Sequence, residues 1–228
     1  MKWDLMKTPL IIVNLKCYEE GTGNNALKLA KICESVSKAY KINIAVAPQF
    51  TDIDLISKKV DIPVFSQHLD PIKPGAFTGY LSALALKEAG AVGTLINHSE
   101  RKLDLDKIKE CIKIAKDYDL LSICCSADVN ESIEIAKFNP DFIAYEPPEL
   151  IGTGVSVSQT KPEVVTKTVN EVKKVNPKIK VLCGAGITRG EDVKKALELG
   201  TVGVLLASGV VKAKNPRDVL VDFAKSIK

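Results

Sequence analysis

Apolar residues along this chain fall into short runs, and between the runs they recur at every third or fourth place. This alternation never lapses into a linker or a low-complexity segment. Eight runs read as strands: Leu10 to Leu15, Ile42 to Ala47, Pro63 to Gln67, Gly93 to Ile96, Leu121 to Cys124, Phe142 to Tyr145, Lys180 to Cys183 and Gly203 to Leu206. None alternates strictly between apolar and polar, as expected of parallel strands covered on both faces. The intervening segments carry helical stripes, such as Leu29, Ile32, Cys33 and Val36, or Val165, Val169 and Val172. Start signals accompany them. Thr160 with Glu163 and Thr188 with Glu191 have the spacing of capping boxes, Asp128 with Glu131 is a close variant, and Asn215-Pro216 places a cap before a first-turn proline. Gly90 and Gly200 are expected to stop helices.

Eight strand-then-helix units predict an α/β protein: a closed (β/α)8 barrel, eight parallel strands ringed by helices, spanning residues 1–228 as one domain. An open doubly wound sheet is the alternative, but it would carry a glycine-rich turn after its first strand, where Asn14-Leu15-Lys16 stands instead. With 46% hydrophobic content, 228 residues can fill one large core. The net charge of +4 is spread without a basic block, so neither nucleic acid nor a polyanion is an expected partner, whereas a small anion suits it. The N-terminal stretch MKWDLMKTPLIIVNLK has only a short apolar run broken by Asn14 and Lys16. That is too little for a secretory signal or a membrane span, and a cytoplasmic location is expected. Cys17, Cys33, Cys111, Cys124, Cys125 and Cys183 form no C-x-x-C pair, so no metal site or disulfide framework is indicated and all six are expected to be buried thiols.

A barrel collects its chemistry just after its strands, at their C-terminal ends. Glu146 follows the strand Phe142 to Tyr145, with an apolar wall behind it that would raise its pKa toward that of a general base. Pro147-Pro148 then stiffen the chain, and Gly152-Thr153-Gly154 loosen it, the composition of a lid over Glu149 to Val155. Lys16 places a positive charge above the barrel mouth, with Asn14 able to orient it. His98 follows the fourth strand where Ser99 and Glu100 would open a helix, whose N-terminus would keep the imidazole neutral. Glu100 is expected near Lys16 and His98, Arg101 as an ion-pair partner, and His68 as a structural histidine. Main-chain groups of Gly186, Ala207 and Ser208, after the last two strands, could hold an anion, with Ile151 and Gly152 of the lid closing over it.

The strings NLK, NHSER, AYEPPELIGTG and the two small-residue turns occur in an order that resembles the triosephosphate isomerase family over essentially the whole chain. The resemblance implies a TIM barrel that interconverts dihydroxyacetone phosphate and D-glyceraldehyde 3-phosphate through an enediolate. It implies a base at Glu146, an electrophile at His98 and substrate contacts along Asn14, Leu15 and Lys16. The pairing of a glutamate base with a neutral histidine is the family's own well-known arrangement and comes from the resemblance, not from spacing. The resemblance also implies that no metal or organic cofactor is needed. There are departures: PPEL stands where many relatives have a tryptophan, CGAG replaces the usual turn after strand seven, and Ala207-Ser208 replace two glycines after strand eight.

The segment Gln67 to Tyr80 is apolar and rich in turns, which predicts an interaction site. The matching GAFTG loop of the resembling family enters a partner subunit. This implies a homodimer in which Thr78 meets the partner's lysine and asparagine, and the short Lys102 to Cys111 segment adds an expectation of homotetramers. Alternative readings are another phosphate-binding barrel, such as a pentulose-phosphate epimerase, or a catalytically silent phosphate-binding scaffold. Both lack a reason for the full set of strings.

Overall fold

The computed structural model describes residues 6–227; Met1 to Leu5, part of the N-terminal stretch considered above, and Lys228 lie outside them. The chain runs β1 (Leu10–Asn14), α1 (Asn24–Tyr40), β2 (Asn43–Ala47), α2 (Ile53–Ser57), β3 (Phe65–Ser66), α3 (Ala83–Glu88), β4 (Gly93–Ile96) and α4 (Leu105–Asp117). It continues β5 (Leu121–Ser126), α5 (Val129–Ala136), β6 (Phe142–Tyr145), α6 (Val157–Thr160), α7 (Pro162–Val175), β7 (Lys180–Gly184), α8 (Gly190–Glu198), β8 (Gly203–Leu206), α9 (Ser208–Val211) and α10 (Pro216–Ser226). The strands form one eight-stranded sheet in the order β2-β1-β8-β7-β6-β5-β4-β3. Every pairing is parallel. Between β2 and β3 the ladder narrows to a single bridge, Val46 with Val64, so the result is a nearly closed (β/α)8 barrel.

Strand periodicity sorts the side chains into two cores. Leu10 and Ile12 of β1, Phe142 and Ala144 of β6, and Leu95, Ile123, Leu182 and Leu205 pack inside the barrel. Ile11, Val13, Ile143 and Val204 point outward against helix faces such as Leu29, Cys33 and Val36 of α1 and Val165, Val169 and Val172 of α7. Both faces are therefore dry, which is why the strands read as continuous apolar runs.

The differences from the sequence expectations are local. β3 keeps only Phe65–Ser66 of the expected Pro63 to Gln67, because proline has no N–H for a ladder and Val64 makes only the bridge. β5 runs on to Ser126 and β7 to Gly184, while β1 ends at Asn14 and β2 begins at Asn43. The box at Thr160 is not formed. The residue before a proline is pushed out of helical geometry, so Lys161 becomes the cap of α7, and the Thr160 hydroxyl donates to Ser156 O instead. At α8 the cap is Arg189, one residue later than Thr188. The carboxylate that serves the helix start is therefore Asp192, not Glu191, and it accepts the N–H groups of Thr188 and Arg189 at 3.0 Å each. Asp128 does cap α5, accepting from Glu131 N at 2.8 Å. Asn215 precedes Pro216 as expected, but its side chain pairs with Asp218 rather than the backbone. Five cysteines are buried free thiols, whereas Cys17 is exposed, because it lies in the turn beyond β1.

Candidate active site

Inward parity continues past the ends of the strands and sets which side chains meet. On β1 the positions after Leu10 and Ile12 that face the lumen are Asn14 and Lys16; on β6 the position after Phe142 and Ala144 is Glu146. Leu15, on the opposite parity, is fully buried in the outer core and lines neither of the cavities at this end of the barrel. It was expected among the substrate contacts; its side chain is not brought there.

The Asn14 carboxamide accepts the N–H of Lys16 at 2.9 Å. This supports the left-handed backbone of Lys16 (φ 49) and turns its ammonium toward the lumen. Gln67, a residue with no evident role in the sequence, braces the same turn by donating to Lys16 O and Ala47 O at 3.0 Å each. The ammonium meets Glu100 Oε1 at 2.8 Å, with only 11% of the lysine side chain exposed.

His98 is buried, but Ser99 and Glu100 do not open a helix. A turn closed by Arg101 N donating to His98 O at 2.8 Å stands there, and α4 begins at Leu105 behind its Asp104 cap. No helix N-terminus therefore faces the imidazole. The N–H of Glu100 points at His98 Nδ1 at 3.3 Å, and the Glu100 carboxylate lies 3.5 Å from the same nitrogen. The amide contact makes Nδ1 the acceptor and leaves Nε2–H to donate toward the cavity. Arg101 pairs with Asp70 at 3.5 Å, and His68 is buried against the same carboxylate at 3.1 Å, as structural groups should be.

Glu146 is 7% exposed. Its N–H donates to Ser126 O at 2.8 Å, its side chain packs against Gly184, where any Cβ would collide with it, and its Oε2 stands 3.8 Å from His98 Nε2. That oxygen is buried and has no hydrogen-bond partner. Burial pushes the carboxyl above the usual carboxylate range, against the pull of His98, the Cys125 thiol and Lys16.

Asn14, Lys16, His98 and Glu146 share an inner cavity of about 40 Å³ with Ile151, Gly152, Gly186, Ala207 and Ser208. A second cavity of about 450 Å³, reached past Asn14, Lys16 and His98, opens toward Glu100 and Arg101. The expected set thus converges on one face, apart from Leu15. The lid segment carries a single 3-10 turn (Pro148–Leu150). It is pinned outside by Lys161 on Glu149 at 2.6 Å and inside by Val155 O against Gly186, whose φ is 70° and whose added Cβ would lie 1.9 Å from that oxygen. Among the described residues no group of three or more His, Cys, Asp or Glu side chains could hold a metal ion, and no helix is long and apolar enough to cross a membrane.

A parallel β/α barrel with a carboxylate, an imidazole and an ammonium group around one cavity at the C-terminal ends of its strands is the architecture of the barrel enzymes. Comparison narrows the class. The family model described as triosephosphate isomerase matches residues 9–227. Proteins named triosephosphate isomerase are 54% identical from Methanothermus fervidus (94% of this chain, 97% of that protein), 52% from Methanocaldococcus jannaschii (96% and 100%) and 51% from Methanosarcina barkeri (97% and 100%). This chain belongs to the triosephosphate isomerase family.

Proposed function

We propose that this protein interconverts dihydroxyacetone phosphate and D-glyceraldehyde 3-phosphate, as a single barrel domain. One observation carries the chemical reading: a buried, partnerless carboxylate oxygen of Glu146 faces His98 Nε2 across 3.8 Å, in a cavity shared with Lys16. A ketose bound there presents a C–H to the carboxylate and its carbonyl oxygen to the imidazole. Glu146, raised in pKa by burial, takes the proton from C1 and returns it at C2, while the hydroxyl proton on O1 passes to O2. His98 gives a hydrogen bond from Nε2–H to the carbonyl oxygen, and Lys16 stabilises the charge that develops on the enediolate. Asn14 keeps Lys16 aimed, and Glu100 holds its ammonium when substrate is absent. The phosphate rests against main-chain amides of Gly186, Ala207 and Ser208, with Ile151 and Gly152 folding over it. An inner cavity of about 40 Å³ accepts only a few water-sized groups, so lid movement accompanies binding. No step calls on a metal or organic cofactor.

The test is an assay in which purified protein converts glyceraldehyde 3-phosphate to a ketose that a dehydrogenase reduces. Sustained turnover is expected, and its absence from folded protein would defeat the proposal.

The same reading makes the protein cytoplasmic and self-associating. The segment Gln67 to Tyr80 stands off the barrel, tied at its base by Asp70 N to Leu81 O and Leu81 N to the Asp70 carboxylate. It exposes Phe77 (45%) and Tyr80 (58%), stacked edge to face at 5.7 Å. A homodimer covering this segment, with Thr78 beside the partner's active site, accounts for the exposure, and pairing of dimers gives the homotetramer. Sedimentation at micromolar concentration tests this, and a fully active monomer would exclude it.

A further inference from the structure

His98 owes its placement to Asn97, the residue after the last position of β4. Asn97 is 1% exposed and adopts φ 62, a left-handed conformation that costs an L-residue about 1–2 kcal/mol. The amide compensates with three bonds. Its Nδ2 donates to Cys125 O and to Glu131 Oε1, both at 2.9 Å, and its Oδ1 accepts the N–H of Leu103 at 2.9 Å. The last bond closes the turn that carries His98 and Glu100.

Glu131 is the other end of this clamp. One carboxylate oxygen, Oε2, serves the start of α5 by accepting Ala127 N at 2.6 Å. The other leaves the helix: Oε1 accepts from Asn97 and meets the Lys102 ammonium. The stretch Cys125 to Ala127, gripped by Asn97 and Glu131 together, also supplies Ser126 O, which holds the N–H of Glu146 at 2.8 Å. A single carboxylate thus ties the exit of the strand carrying His98 to the stretch that anchors Glu146. We infer that Glu131, acting through Asn97, is a positioning residue that keeps His98 in register with Glu146. The inference rests on the roles proposed above for those two groups. A change at Glu131 takes a partner from the buried Asn97 amide, and a change at Asn97 takes one from the half-buried N–H of Leu103; either lets the His98 turn drift.

The test uses Glu131→Gln, Asn97→Gly and the double variant of the full chain, assayed for triose phosphate isomerisation. A carboxamide at 131 sets an NH2 against a donor on one side, while glycine keeps the left-handed backbone and removes only the clamp. Misplacement of one reacting group costs turnover, not substrate binding, so kcat is expected to fall about 10- to 100-fold with KM within about threefold of the parent. Members of one unit are non-additive, so the double variant should be no slower than the slower single variant. The ¹⁵N shifts of the His98 ring report independently of turnover and should change in Glu131→Gln. If Glu131→Gln fails to fold, Asn97→Gly decides by the same readings. A kcat within about threefold of the parent, losses that multiply in the double variant, or KM rising in step with the fall in kcat would overturn the inference. A parent without isomerase activity would refute the proposed function instead; His98 ring shifts unchanged in Glu131→Gln would then overturn the positioning role separately, and changed shifts would support it.

Discussion

Replacing Glu146 with glutamine should remove activity and raise stability at neutral pH. The carboxylate is 7% exposed and its Oε2 has no partner, so folding strips water from a charge and returns too little. Burial raises its pKa in the folded state; the unfolded value is about 4.3. The folded state therefore holds the proton more tightly, and stability falls as pH rises from the unfolded pKa through the folded one. Above that window the penalty is present in full; below about pH 4.3 the carboxyl is protonated in both states and the penalty is gone. An unsatisfied buried polar group costs about 1–3 kcal/mol. At about 2–4 °C per kcal/mol for a chain of this size, Glu146→Gln should unfold roughly 2–12 °C higher at pH 7.5. The advantage should shrink toward zero near pH 4. General-base catalysis contributes about 10²- to 10⁴-fold, so kcat should drop by at least that factor. Thermal unfolding at the two pH values, beside steady-state kinetics, reads both effects. A variant less stable than the parent at pH 7.5, or an advantage that ignores pH, would refute the account of the buried charge; near-normal turnover would refute its role as base.

His98→Ala should lose about 10²- to 10³-fold in kcat, the usual cost of one donor to a developing oxyanion, and a loss under tenfold in steady-state assays would remove His98 from that role. The limb of the kcat/KM profile on the acid side should fall off above the ordinary carboxylate range, since the base must be ionised and burial raises its pKa; activity persisting undiminished at pH 4 would contradict this. Gly186→Ala should cost at least about 1–2 kcal/mol from its left-handed backbone alone and displace Val155 of the lid, seen as a lower unfolding midpoint with raised KM; an unchanged protein would show the close approach to be dispensable. Hydrogen exchange over Glu149 to Val155 should slow when a phosphate-bearing enediolate mimic saturates the site, and no change would mark a static loop.

Much of this was legible in the chain because strand parity does two jobs at once. The dry, two-faced strands announced themselves as apolar runs, and the next inward position after each run supplied Asn14, Lys16 and Glu146. Leu15 shows the converse: a string of adjacent residues suggests a shared surface, but adjacent strand residues face opposite ways, so its side chain enters the outer core. The environment of His98 was also misread. A serine and a glutamate after a strand resemble a helix start, yet the cap four residues on, Asp104, takes the helix and leaves a turn whose Glu100 amide fixes the imidazole. Asn97, Gln67 and Glu131 were invisible as positioning groups because the bonds that link them to other strands and loops span between 20 and 51 residues of sequence. No local pattern records which distant carbonyl or carboxylate a side chain will meet.

The most direct test of the central claim is proton exchange at carbon. When dihydroxyacetone phosphate is incubated with the protein in D₂O and followed by ¹H NMR, deuterium should enter at C1 of the ketose and C2 of the aldose. Exchange should be lost in Glu146→Gln, because a carboxylate that carries the proton through an enediolate exchanges it with solvent. Aldose formed without deuterium uptake, or exchange at the parent rate in Glu146→Gln, would contradict Glu146 as the base.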